Sequence, residues 1–232
     1  MSKALLNYNI GCGLHGRGKV KEAVESYLES LAIDPNHVDA NYNLASALQE
    51  LGKLEEASKY YQIAIKLKPD HHMAYYNMGY LYQDIGDIKK SIGCFQQALL
   101  IDPTDIDTHI NLGLALKSQE RFDEAVKSYL TAINIDSSSV MAHFNLGNIY
   151  QDLGELDSAI MHFKICLNLD PTHIDALFNL GIAYQDRAAR GEDSKVEDLR
   201  LALDCYNFVY NCAPDMTEAY SAAAELKKTL NS

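Results

Sequence analysis

The chain has no tryptophan, only five prolines in 232 residues, and no apolar run near the roughly 20 residues that cross a bilayer. So few prolines, with 13 glycines, leave room for long helices. Basic side chains are also scarce. Twenty Lys and Arg against 32 Asp and Glu give a formal charge of −12, which argues against nucleic acid as a partner because phosphate binding needs a basic surface. The five cysteines are odd in number and show no C-x-x-C spacing, as expected of reduced thiols in the cytoplasm or nucleus. The opening Met1-Ser2-Lys3 is not expected to be a signal peptide. What is present, 47% hydrophobic and 22% charged residues, is the composition of a packed soluble domain.

Self-comparison reveals a period of 34. Asn43-Leu44-Ala45, Asn77-Met78-Gly79, Asn111-Leu112-Gly113, Asn145-Leu146-Gly147 and Asn179-Leu180-Gly181 recur in step, with Asn9-Ile10-Gly11 one period earlier. A second column runs Ala23, Ala57, Ser91, Ala125 and Ala159, each followed four residues on by Tyr27, Tyr61, Phe95, Tyr129 or Phe163. Pro35, Pro69, Pro103, Ser137 and Pro171 form a third. Each period reads as two antiparallel helices. Ala40, Leu44, Ala47, Leu48 and Leu51 make one apolar stripe, Gly52 permits the turn, and Leu54, Ala57, Tyr61, Ala64 and Ile65 mark the next helix. Asn36, Asp70, Thr104, Ser138, Thr172 and Asp215, each one residue past the proline column or its counterpart, are the expected N-caps.

These columns resemble the tetratricopeptide repeat (TPR) family over nearly the whole chain. The resemblance implies an all-α, right-handed α-solenoid forming one domain over 1–232. Its units are 4–37, 38–71, 72–105, 106–139, 140–173 and 174–216, with a final helix over 217–230 covering the open end. The sixth unit is nine residues longer than the others, and the extra length at 187–197 is expected to be an exposed loop. The family's usual tryptophan column holds Asn7, Asn41, Tyr75, His109, His143 and Leu177 instead.

Chemistry-bearing patterns are few. Gly11-Cys12-Gly13-Leu14-His15-Gly16 fits a dinucleotide fingerprint but lacks the surrounding βαβ pattern, so it reads as coincidence. His109 and His143 stand about a helix-packing distance apart, too far to share a metal ion, and Cys94 and Cys166 read as core fillers. No catalytic residues, metal or cofactor are expected, and the chain reads as a non-enzyme.

In the TPR family the first helix of each unit lines a concave groove. The resemblance therefore points to Asn9, Asn43, Asn77, Asn111, Asn145 and Asn179 as groove residues. An amide both donates and accepts, matching a peptide backbone, and the ladder is similar to that of the TPR arm of O-GlcNAc transferase. The rival reading is that these asparagines tie neighbouring helices together. Beside them run Tyr8, Tyr42, Tyr76, Ile110, Phe144 and Phe178, either ligand anchors or interhelical packing.

Acids divide by position. Asp39, Asp107, Asp175 and Glu218 suit helix starts, whereas Glu50, Asp84, Asp152 and Asp186 lie at helix C-termini, where a carboxylate is unfavourable by roughly 0.3–1 kcal/mol. With Gln49, Gln83, Gln151 and Gln185 beside them, they form a stripe suited to Lys or Arg on a ligand, or simply a solvated surface. The pattern lapses in the fourth unit, at Ile110, Lys117, Ser118 and Glu120. The expected function is an adaptor binding an extended, basic peptide of a protein partner, with no role for nucleic acid or membrane. The alternatives are the recruiting arm of an O-GlcNAc transferase and a scaffold that self-associates.

Overall fold

The structure, a computed structural model, describes residues 2–191 and 195–231. Among these are thirteen α-helices and no strand: α1 (Lys3–His15), α2 (Val20–Ile33), α3 (Val38–Glu50), α4 (Leu54–Leu67), α5 (His72–Ile85), α6 (Ile88–Ile101), α7 (Ile106–Lys117), α8 (Phe122–Ile135), α9 (Val140–Asp152), α10 (Leu156–Leu169), α11 (Ile174–Ala189), α12 (Lys195–Cys212) and α13 (Thr217–Leu230). They fall into two compact units, Met1–Gln119 and Glu120–Ser232. In each unit, helices adjacent in sequence pack on one another.

The small and aromatic columns meet in both units. A methyl added at Gly11, Gly79 or Gly147 would stand 2.6 Å from the ring of Tyr27, Phe95 or Phe163, and one at Gly181 would stand 2.7 Å from Tyr206. These rings are buried, so the glycines let the two helices of a pair close over them. Ala23, Ala57, Ala159 and Ala202, one turn before an aromatic, are fully buried beside them. Between the two helices of a repeat, the turn is left-handed: Gly18, Gly52, Gly86 and Gly154 have positive φ, and Glu120 holds the same place at φ 57°.

Two expectations are corrected. The helices start one residue later than expected, so the caps are His37, His71, Asp105, Ser139, His173 and Met216 rather than Asn36, Asp70, Thr104, Ser138, Thr172 and Asp215. The imidazole Nδ1 of His37, His71 and His173 accepts the N–H of Ala40, Ala74 and Ala176. Four of the expected caps are held instead inside a turn closed from behind. Asp34, Asp102, Asp136 and Asp170 accept the N–H of Asn36, Thr104, Ser138 and Thr172. Hydroxyl donation from Thr104, Ser138 and Thr172, followed by those N–H bonds, holds Asp102, Asp136 and Asp170 below the usual carboxylate range.

The second correction concerns 187–197. Most of it is helical: α11 continues to Ala189 and α12 begins at Lys195, while 192–194 lie outside the described residues. The reason is an anchor. Arg187 grips Asp198 with two bonds, Nε to Oδ2 at 2.9 Å and Nη2 to Oδ1 at 2.7 Å, and also reaches Asp157. Arg190 donates to the Gly154 carbonyl at 2.8 Å. Asp198 is 1% exposed, and this fork-shaped pairing is what makes its burial tolerable.

Candidate peptide-binding face

The first helices of the pairs carry the asparagine column, and their neighbours decide what its amides do. In the first unit the Nδ2 of Asn43 donates to the Tyr8 hydroxyl at 3.1 Å, that of Asn77 to Tyr42 at 2.9 Å, and that of Asn111 to Tyr76 at 3.3 Å. Asn111 also donates to the Asp107 carbonyl at 2.8 Å. Each amide thus ties its helix to a tyrosine 35 residues earlier. The constant offset between the Tyr and Asn columns was visible in the sequence and is the signal that would have found this pairing.

The second unit differs. Asn179 donates to Asn148 Oδ1 at 2.8 Å, since Phe144, 35 residues earlier, has no hydroxyl. Asn145 is buried and its Nδ2 has no partner; the residue 35 earlier in sequence is Ile110. Asn9 is exposed.

The aromatic column is half-buried apart from Ile110, which is buried. Each ring packs on the second helix of its own pair: Tyr8 on Tyr27, Tyr42 on Tyr61, Tyr76 on Phe95, Phe144 on Phe163 and Phe178 on Tyr206, with centroids 5.6–6.2 Å apart. Tyr8, Tyr42 and Phe144 also lie 4.6–4.8 Å from the capping His37, His71 and His173 of the next helix. Burial raises the pKa of Tyr8, Tyr42 and Tyr76, so these phenols stay protonated and serve as hydrogen-bonding groups.

The C-terminal acids have structural partners in the first unit. Glu50 meets His15 at 2.9 Å, and Asp84 accepts from Gln49 at 3.1 Å. These bonds explain how carboxylates are tolerated at unfavourable helix ends. Gln49 and Gln185 accept from the buried hydroxyls of Tyr61 and Tyr206. Gln83 and Gln151 lie in pairs whose ring is Phe95 or Phe163, which has no hydroxyl to offer. Glu50, Asp84, Asp152 and Asp186 remain exposed.

Other candidates fall into place. Cys94 and Cys166 are buried, and burial pushes both thiols up to about 11, so they act as packing groups. His109 Nε2 lies 2.9 Å from the Pro103 carbonyl, while His143 Nδ1 lies 3.0 Å from Nδ1 of buried His162, a pair the sequence did not suggest. No group of three metal-ligating side chains occurs among the described residues, and none of the described helices is long and apolar enough to cross a membrane. The fingerprint-like Gly11-Cys12-Gly13 lies inside α1, where Gly11 is the seat of Tyr27.

Antiparallel helix pairs repeated at 34 residues, a ring seated on a glycine in four of them, and first helices tied by side-chain amides define an all-α solenoid repeat class of protein-interaction modules. The chain belongs to the tetratricopeptide repeat family. A family model described as TPR repeat matches residues 14–52, 47–86 and 115–154, and one described as Tetratricopeptide repeat matches 72–105 and 140–173. Among solved structures, MamA (41-end) from Desulfovibrio magneticus RS-1 is 25% identical with a TM-score of 0.70, covering 75% of this chain and 98% of that one. YrrB, described as a TPR protein with an unusual peptide-binding site, is also 25% identical with a TM-score of 0.70, covering 86% and 98%. The pilF protein of Pseudomonas aeruginosa shares the fold at 17% identity, with a TM-score of 0.75 over 96% and 97% of the two chains. No curated protein sequence matches the chain.

Proposed function

We propose that the chain is an adaptor whose two units each hold an extended, basic segment of a partner protein along the face made by their own first helices. The observation that carries this reading is the exposed acid column: Glu50 and Asp84 in the first unit, Asp152 and Asp186 in the second. Each sits at or near the negative end of a helix, so dipole and carboxylate add, and the net charge of −12 reinforces the field. The asparagines contribute through their other end. With Nδ2 of Asn43 and Asn77 held by tyrosine, the Oδ1 is left to accept a peptide N–H. The half-buried Tyr42 and Tyr76 stand beside the asparagines in the first unit, and Phe144 and Phe178 do so in the second. YrrB, with its peptide-binding site, is similar over most of this chain and supports the same use here.

Fluorescence anisotropy with a labelled Lys-Ser repeat peptide tests the proposal. Binding should weaken with salt, and replacing the four acids by their amides should cost at least about tenfold in affinity. Asn77→Ala with Asn111→Ala and Asn145→Ala should also abolish capture. Tyr42→Phe with Tyr76→Phe, which cuts the ties but spares the acceptors, should leave it within about twofold. Equal losses from both sets would show the asparagines to be structural only. Unchanged affinity without the acids would sink the proposal.

A further inference from the structure

In the first unit, helix α5 carries a ring that no other repeat has. His72, Tyr76, Tyr80 and Asp84 follow one another at four-residue steps, so they form one row along the helix surface. Tyr76 belongs to the aromatic column already described, but in the column of Tyr80 the other repeats hold Cys12, Ser46, Leu114, Asn148 and Ile182. Two tyrosines one turn apart, followed one turn on by a carboxylate, therefore occur on α5 alone among the first helices of the repeats.

The two rings are fixed in place. Their planes cross at 80° with centroids 5.1 Å apart, and the Tyr76 hydroxyl donates to that of Tyr80 at 3.4 Å. Both rest on Phe95, the ring seated on Gly79, with centroids at 6.0 and 5.8 Å. Asn111 holds Tyr76 from the next helix pair. Neither ring is covered: both are half-buried, so a ligand meets a corner whose ordering is already complete.

Carboxylates flank the corner. Asp84 is exposed, and its Oδ2 accepts from Gln49, which leaves Oδ1 for a ligand. Burial, then the Tyr80 hydroxyl, then the charges of Asp107 and Asp105 raise the pKa of Tyr76, so two further acids act at this ring. Ring faces and carboxylates both attract a cation. The chain already uses that attraction elsewhere. Lys90 lies 5.2 Å from the centre of the Tyr82 ring, and in the second unit Lys164 and Arg187 each lie 5.5 Å from that of Tyr184. Among the described residues no Lys or Arg covers Tyr76 or Tyr80. A guanidinium suits the corner better than an ammonium does. It is planar and weakly hydrated, so it can stack on a ring while its N–H groups reach a carboxylate in the same plane.

We propose that this corner of α5 seats an arginine side chain of the bound basic segment, its guanidinium stacked on Tyr76 and Tyr80 and paired with Asp84. The assignment rests on the adaptor reading above and adds to it a preference for arginine over lysine at one place along the ligand.

Fluorescence anisotropy on the full chain, comparing a labelled Arg-Ser repeat peptide with a Lys-Ser peptide of equal length and charge, tests this. The arginine peptide should bind about fivefold more tightly or better. Tyr80→Leu should bring the two peptides within about twofold of each other, whereas Tyr80→Phe, which keeps the ring, should retain the preference. Circular dichroism checks that both variants are folded. NMR of the tyrosine ring protons gives a readout on the unaltered chain: those of Tyr76 and Tyr80 should shift more with the arginine peptide than with the lysine peptide. Equal affinities for the two peptides would overturn the arginine assignment and leave the adaptor reading standing, while failure of both to bind would overturn both. A preference that Tyr80→Leu leaves intact, or ring shifts confined to other tyrosines, would overturn the assignment as well.

Discussion

The two units spend the same repeat differently. In Met1–Gln119 the polar groups of the first helices are linked laterally: Asn43, Asn77 and Asn111 to three tyrosine hydroxyls, Asp84 to Gln49 and Glu50 to His15. In Glu120–Ser232 phenylalanine replaces tyrosine at 144 and 178, one amide donor is left buried without an acceptor, and polar groups are buried elsewhere instead. Those burials are Asp198 with Arg187, and His143 with His162. The first unit ties its first helices by a row of single bonds, whereas the second gathers its buried Asp and His side chains into two places. Single substitutions should therefore be nearly harmless in one and severe in the other.

The largest expected effect is at Arg187. Replacing it by methionine keeps the length but strands a carboxylate that is 1% exposed, a loss of about 3–5 kcal/mol by analogy with other broken buried pairs. The first unit's ion pairs, Lys19 with Glu22, Lys53 with Glu56 and Lys90 with Asp87, are exposed i,i+3 contacts. Removing any one should leave the unfolding midpoint nearly unchanged, because water and salt screen such exposed pairs. Urea unfolding followed by circular dichroism measures both. Equal losses would erase the contrast.

Arg187 also marks where sequence reading stopped. The period, the helix pairs and the ring-on-glycine columns were legible because each is a local pattern repeated many times. At 187–197 charge and glycine suggested a loop, whereas 187–189 and 195–197 are helical beside the buried Asp198, a tertiary fact. The caps were displaced by one residue because Asp–Pro turns absorb the polar residue that looked like a cap. The acids at Glu50 and Asp84 were legible as residues at unfavourable helix ends, yet their partners belong to the preceding pair and periodicity alone does not name them.

The histidine pair comes next in size. Burial, then the neighbouring His143, holds His162 down to about 4, and burial lowers His143 as well. Tyr150, stacked on His162 at 5.5 Å, is the neighbouring aromatic. An unfolded histidine titrates near 6.5, so between about 6.5 and 4 the unfolded chain binds more protons than the folded one. Stability is thus fully present above that window and is lost as the pH falls through it, by on the order of 2 kcal/mol. Carboxylates contribute their own acid sensitivity, which the difference between wild type and His162→Leu removes. Parallel urea midpoints for the two proteins from pH 7 to 4.5 would show that the pair does not carry the effect.

The smallest effects bear most directly on the comparison, because they exchange one column between the units. Tyr42→Phe leaves the half-buried amide of Asn77 without its acceptor, which should cost about 1 kcal/mol, whereas Tyr76→Phe should cost less because Asn111 also donates to the Asp107 carbonyl. The reverse change, Phe144→Tyr, offers a hydroxyl where Asn179 is already satisfied by Asn148. The added group gains at most one bond and must leave water to make it, so stability should move by no more than about 0.5 kcal/mol. That asymmetry separates a tie built into the first unit from a mere preference for tyrosine in the column. Were Phe144→Tyr to stabilise by as much as Tyr42→Phe destabilises, Asn179 would have been waiting for the same partner, and the two units would differ by substitution rather than by design of their polar contacts.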